Sequence, residues 1–157
     1  MTCISLAQAG TPEQVVDYVN PLIGTPFAGF KEGLGGGGTM PCVGTPFAMT
    51  NYVAQTCENH IGRMPYVYED THIMGFLATH QPTVWMGDYG YVSVMPQVGE
   101  LRVLPDQRAL SFSHSDEISK PHYYAVTMQA AGKTIKGEIA AASRCGLFRF
   151  TFPASDQ

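Results

Sequence analysis

The sequence predicts an all-β fold: an antiparallel β-sandwich with one short N-terminal helix. Three observations predict it. Short alternating or apolar runs recur along the chain, separated by Gly, Pro, Asn and Asp turn signals. Helical periodicity is nearly absent beyond residue 19. The composition, with 17 Gly, 11 Pro, 8 Tyr and 8 Phe, suits strands and loops better than helices. A length of 157 residues fits one domain with a real core, and 45% hydrophobic against 14% charged residues argues against disorder. The formal charge of −4 and the shortage of Lys and Arg argue against a nucleic-acid surface. No apolar run approaches the roughly 20 residues of a membrane span, so no membrane partner is expected.

Residues 1–10 read as the stub of a clipped leader or as a disordered terminus. Leu6-Ala7-Gln8-Ala9 ends in a small-x-small pattern, without a basic n-region or a long apolar h-region. Residues 11–157 form the domain. Thr11-Pro12-Glu13-Gln14 is a helix start, with a capping Thr, Pro at the first helical position and a capping-box Gln. Val15, Val16 and Val19 give the helix its apolar stripe, and Asn20-Pro21 stops it. A long loop with four successive glycines, Gly35 to Gly38, then leads to Pro41. It lacks the Gly-Lys-Ser/Thr of a phosphate loop and no helix follows. It is a surface loop or one shaped around a ligand or neighbouring domain.

Phe47 to Val53 reads as a strand, Met64 to Tyr68 as extended chain, and Glu69-Asp70 as a turn. His72 to Ala78 is strand-like, and Tyr91 to Met95 alternates as a strand should. Val92 to Val98 and Leu101 to Leu104 around Gly99-Glu100 suggest a hairpin. Pro105-Asp106 opens another connection, and Ser113 to Glu117 reads as polar loop. Tyr123–Met128 and Thr134–Ile139 flank Ala131-Gly132 as a second hairpin. Leu147 to Phe152 alternates, placing Leu147 and Arg149 opposite Phe148, Phe150 and Phe152. Many short strands with regular turns mean a sandwich or barrel.

Thr79-His80-Gln81-Pro82-Thr83-Val84-Trp85-Met86-Gly87-Asp88-Tyr89-Gly90 is the chemically richest stretch. Pro82 argues against a helix, so this is a loop between two strands. It holds the only Trp beside His and Asp. Such a loop suits a sugar, whose C–H face lies on an aromatic ring while polar groups take the hydroxyls. The competing reading makes Trp85 a core residue. His72, His114 and His122 stand alone and read as structural or surface histidines. Cys3, Cys42, Cys57 and Cys145 form no C-x-x-C pair; buried thiols compete with disulfides whose pairing the spacing does not select.

Segments in order resemble the N-terminal domain of glycoside hydrolase family 92, the calcium-dependent exo-acting α-mannosidases. They are Asp17 to Thr25, Gly37-Gly38-Thr39-Met40-Pro41, Gly44-Thr45-Pro46-Phe47, Met64 to Asp70, Thr79 to Pro82, Trp85 to Gly90, Phe112-Ser113-His114, Tyr123-Tyr124 and Arg149 to Pro153. The resemblance implies a supersandwich-like domain, incomplete here at its C-terminus, that would be followed by an (α/α) barrel. It implies an inverting α-mannosidase, α-1,2 type, whose calcium and catalytic carboxylates lie in that C-terminal catalytic lobe. No catalytic residue is therefore assigned to this chain. Trp85 is expected as an aromatic wall, and His80, Gln81 and Asp88 as hydroxyl partners. Cys57 stands where the family usually has an Arg; loss of that forked donor bears on sugar binding, and Arg63 is a candidate substitute. The implied partners are mannose-terminated glycans and the C-terminal lobe, with a secreted, periplasmic or cell-surface location and a part in N-glycan processing. The rival expectations are a stand-alone carbohydrate-binding sandwich and an inactive fragment.

Overall fold

The computed structural model describes residues 15–26, 37–58, 64–80 and 91–154. The expected helix start at Thr11 to Gln14, the middle of the glycine loop, Arg63, Gln81, Trp85 and Asp88 lie outside these residues. Among the described residues eight strands form two antiparallel sheets. In the first, β1 (Asn51–Gln55), β3 (Gly75–Thr79) and β4 (Tyr91–Val94) run in the order β1-β3-β4. The second has the order β2-β5-β6-β7-β8. Its strands are β2 (His72–Ile73), β5 (Leu110–Lys120), β6 (Tyr123–Ala130), β7 (Lys133–Ala141) and β8 (Gly146–Thr151). The all-β sandwich expected from the sequence is what forms.

The chain changes sheets at Met74, between β2 and β3, where the Met74 amide bonds the Gln55 carbonyl at 2.8 Å. The inner faces meet through aromatic rings. Phe76 of β3 lies 5.2 Å from Phe150 and 6.4 Å from Phe148, and Tyr52 of β1 meets Phe148 edge-on at 5.8 Å. Two glycines make this approach possible. A Cβ at Gly137 would stand 2.5 Å from Phe76, and one at Gly146 would stand 2.5 Å from Tyr52. Ile135 and Ile139 of β7 and Tyr124, Val126 and Met128 of β6 complete the core from alternate positions. Phe148 and Phe150 pack inward while Leu147 and Arg149 face out, as the alternation predicts.

The structure corrects the reading between residues 92 and 117. No hairpin forms over Val92–Leu104: β4 ends at Val94, and Leu101 to Leu104 are not strand. Arg102 instead bonds the Gln97 side-chain amide at 2.8 and 3.0 Å, a local clasp that replaces a ladder. A four-residue helix, α1 (Pro105–Arg108), follows, with Pro at its start. Ser113 to Glu117 is not a loop but the middle of β5. There Phe112 pairs Met128 and Glu117 pairs Val126, so five steps on β5 face two on β6. The polar residues are the bulge that this mismatch pushes out of the ladder. The expected 47–53 strand begins later, at Asn51, because Thr45 to Ala48 turn first, closed by Ala48 N to Thr45 O at 3.0 Å.

Candidate functional site

Hairpin turns in an antiparallel meander alternate between the two ends of a sheet. The β5–β6 and β7–β8 turns therefore lie at one end, and the β6–β7 turn at Ala131-Gly132 at the other. Backbone bonds tie the 43–49 segment to the first end: Gly44 N to Pro121 O and Met49 N to Ser143 O, both 3.0 Å. The β3–β4 connection opens at the same place. His80, the first residue after β3, bonds the Met49 carbonyl through Nδ1 at 2.8 Å. Thr79 and Tyr91 are register partners, so the stretch between them leaves and re-enters the sheet at this rim. Lys120 adds the N-terminal segment through its 2.7 Å bridge to Asp17, which lowers the Asp17 carboxyl pKa mainly through that hydrogen bond. One end of the sandwich thus gathers His80 with exposed Phe47 and Met49. A carbonyl can only accept, so Nδ1 of His80 donates and Nε2 is the acceptor of the neutral ring.

The base of the glycine loop is also closed. Gly24, at φ 80°, packs so tightly on Gly37 that a Cβ on Gly37 would collide with its backbone. Thr39 Oγ1 fastens the two arms by donating to Ile23 O at 2.8 Å. Here glycine is required by contact as well as by conformation.

Two glutamates are drawn in from solvent. The Glu117 side chain is 1% exposed and receives the hydroxyls of Tyr66 (2.9 Å) and Tyr124 (2.6 Å) and His114 Nδ1 (2.6 Å). His114 Nε2 faces the Tyr68 carbonyl at 2.6 Å, and its ring stacks on Tyr68 at 4.0 Å. Both ring nitrogens face acceptors, so the arrangement is fully satisfied when each carries a proton. Burial, then the Glu117 charge, raises the pKa of the Tyr66 and Tyr124 hydroxyls far above the ordinary tyrosine value. On the outer face, Glu138 accepts a forked pair of 2.7 Å bonds from Arg149, with Tyr123 and Lys136 alongside. The Arg149 bonds hold its carboxyl down at about 2. Sequence reasoning assigned neither network; the outward Arg149 on alternating β8, opposite Glu138 of β7, was the available signal.

Of the sequence-predicted site residues, His80 falls within the described residues and sits on the rim. Arg63, Gln81, Trp85 and Asp88 lie outside them. Cys57 is buried and its thiol donates to Met64 O at 3.2 Å, so position 57 acts here as an internal clasp. Cys42 is a thiol, pushed up to about 12 by burial, and Cys145 an exposed one. His72 bonds its neighbour Thr71, a local surface role. Hollows lie elsewhere: a cleft of ≈ 210 Å³ between Gln97, Arg102, Arg108 and Ala131 opens at the opposite end of the sandwich, and a more open one of ≈ 720 Å³ lies over His72, Leu101, Val103 and Gln107.

The fold and this rim define an antiparallel sandwich lobe that presents its connecting loops at one end. The comparisons place it more closely. Residues 18–157 match the glycosyl hydrolase family 92 N-terminal domain, and the chain belongs to that family. It is similar to the family GH92 inverting mannosidase BT2199 of Bacteroides thetaiotaomicron, at 37% identity and TM-score 0.78, over 94% of this chain and 19% of that one. The family GH92 alpha-mannosidase BT3965 of the same organism is 31% identical with TM-score 0.72, over 90% of this chain and 19% of its own. BT3965 has also been solved with mannoimidazole; that structure matches with TM-score 0.70 at 31% identity, over 90% of this chain and 18% of that one. The chain spans about a fifth of the length of these relatives. No curated protein matches it significantly.

Proposed function

We propose that this chain is the N-terminal lobe of an inverting, calcium-dependent α-mannosidase, acting on α-1,2-linked terminal mannose, and that it supplies one wall of the mannose pocket. The observation that carries the reading is the fixed rim. His80 is held by Met49 O where the Thr79–Tyr91 connection leaves the sheet. Within that connection Trp85 would lie against the sugar's C–H face, while Gln81 and Asp88, with Arg63 nearby, take hydroxyls. Relatives that are mannosidases, one of them bound to mannoimidazole, support mannose as the sugar.

Inverting hydrolysis needs one carboxylic acid to protonate the leaving oxygen and a second carboxylate, roughly 6.5–9.5 Å away, to activate water. Glu117 and Glu138 are saturated by donors, which is unlike a poised acid or base. Calcium requires six to eight oxygen ligands. The described residues do not fit it: they contain no group of three or more His, Cys, Asp or Glu suited to a metal. In this reading the carboxylates and the calcium belong to the C-terminal lobe, and the whole protein acts on mannose-terminated glycans outside the cytoplasm, in N-glycan processing.

Trans-complementation tests it. The chain alone should release no mannose from α-1,2-mannobiose; adding the separately produced C-terminal lobe should give release that a calcium chelator abolishes. Release by the chain alone, or no release with a folded lobe and calcium, would contradict the proposal.

A further inference from the structure

Phe47 is the conspicuous misfit of the molecule. It is the most exposed large apolar residue among those described, at 103% of its reference area, and it sits at φ 59°. A bulky L-residue avoids that left-handed region, so the turn holds Phe47 against its own preference. The hold comes from both sides: Gly44 N to Pro121 O before it, Ala48 N to Thr45 O and Met49 N to Ser143 O after it. A ring displayed this way makes no use of burial, and a pinned turn loses little freedom when something lies on it. Two residues on, the Met49 carbonyl fixes His80 with Nε2 as acceptor, ready for a hydroxyl. An apolar ring face and a hydroxyl acceptor thus share one rim, which is the pairing that a pyranose recognises.

We propose that Phe47 is a stacking platform for the pyranose ring of an α-mannoside at the His80 rim. This rests on the mannoside reading above and assigns it a second aromatic contact, on a different segment from Trp85. The hexose is favoured over a protein partner because the strained ring shares its rim with the fixed acceptor of His80, Met49 being the one further exposed large apolar side chain on the 43–49 segment.

The test is an NMR titration of the 157-residue chain with methyl α-mannopyranoside, alongside Phe47→Gly. Glycine accepts φ 59°, so this variant folds at least as well as the parent. The expected result is movement of the Phe47 ring and His80 signals, about tenfold weaker binding in Phe47→Gly, and an unchanged or higher melting temperature. Binding with His80 shifts and unaltered affinity in Phe47→Gly would overturn the platform and leave the mannoside reading standing. No shift anywhere would overturn the platform, while the mannoside reading stands or falls by the trans-complementation assay above. Phe47 signals that respond to protein concentration and not to sugar would mark a self-association face and overturn the platform as well.

Discussion

Gly137→Ala probes the contact that joins the two sheets. The new methyl would stand 2.5 Å from Phe76 Cζ and 3.1 and 3.2 Å from two further ring carbons. Phe76 cannot easily retreat, since Phe148 and Phe150 flank it. Overpacking of this kind costs about 1–3 kcal/mol. Replacing a strand glycine by alanine returns about 0.5–1 kcal/mol of backbone entropy. The net expectation is a loss of about 1–2 kcal/mol, or about 3–6 °C in Tm for a domain of this size. Truncating the ring by Phe76→Leu removes the clash. In that background Gly137→Ala should become neutral or stabilising by about 0.5 kcal/mol, a coupling well above the few tenths expected of independent sites. Urea denaturation of the four proteins measures the cycle. Additive effects, or a stabilising Gly137→Ala in the parent, would refute the packing argument.

Ala131 adopts φ 50° beside Gly132 at φ 78°, the conformation of a two-residue hairpin turn that favours Asn-Gly. Ala131→Asn should therefore raise stability by about 0.5–1 kcal/mol, read by denaturation. The Glu138 carboxyl should titrate near 2 by carbon-detected NMR instead of near its ordinary 4.5. Because the folded value is depressed, its contribution to stability is present above pH 4.5 and is lost as pH falls through 2. Arg149→Gln should move the midpoint up toward 4.5 and flatten that loss; a parent midpoint near 4.5 would contradict the forked bond. Tyr66 and Tyr124 have raised values in the folded state, so they penalise the fold as pH rises above 10. In an alkaline absorbance titration these two should ionise only together with unfolding.

The sequence made some elements legible because their signal is local. The Tyr123–Ala130 and Lys133–Ala141 hairpin followed from its turn residues, and the facing of β8 from strict alternation. Where a tertiary partner decides, local reading failed. Ser-His-Ser-Asp looks like a loop, yet β6 recruits it as a bulged strand that turns Glu117 inward onto two tyrosines distant in sequence. Leu101 to Leu104 looks like a strand, yet Gln97 captures the Arg102 backbone and no ladder forms. The rim was half legible. His80 stood out by composition, while Phe47 is a site candidate only through an exposure and a dihedral angle that no residue pattern encodes.

The most direct test is a crystal structure of this chain together with the proposed C-terminal lobe, carrying a mannose-like inhibitor. The account predicts a sugar ring bounded on one side by the Thr79–Tyr91 connection, with His80 in hydrogen-bond reach and every catalytic carboxylate supplied by the proposed C-terminal lobe. A sugar seated instead beside Ala131 and Arg102, or touching no residue of this chain, would contradict it.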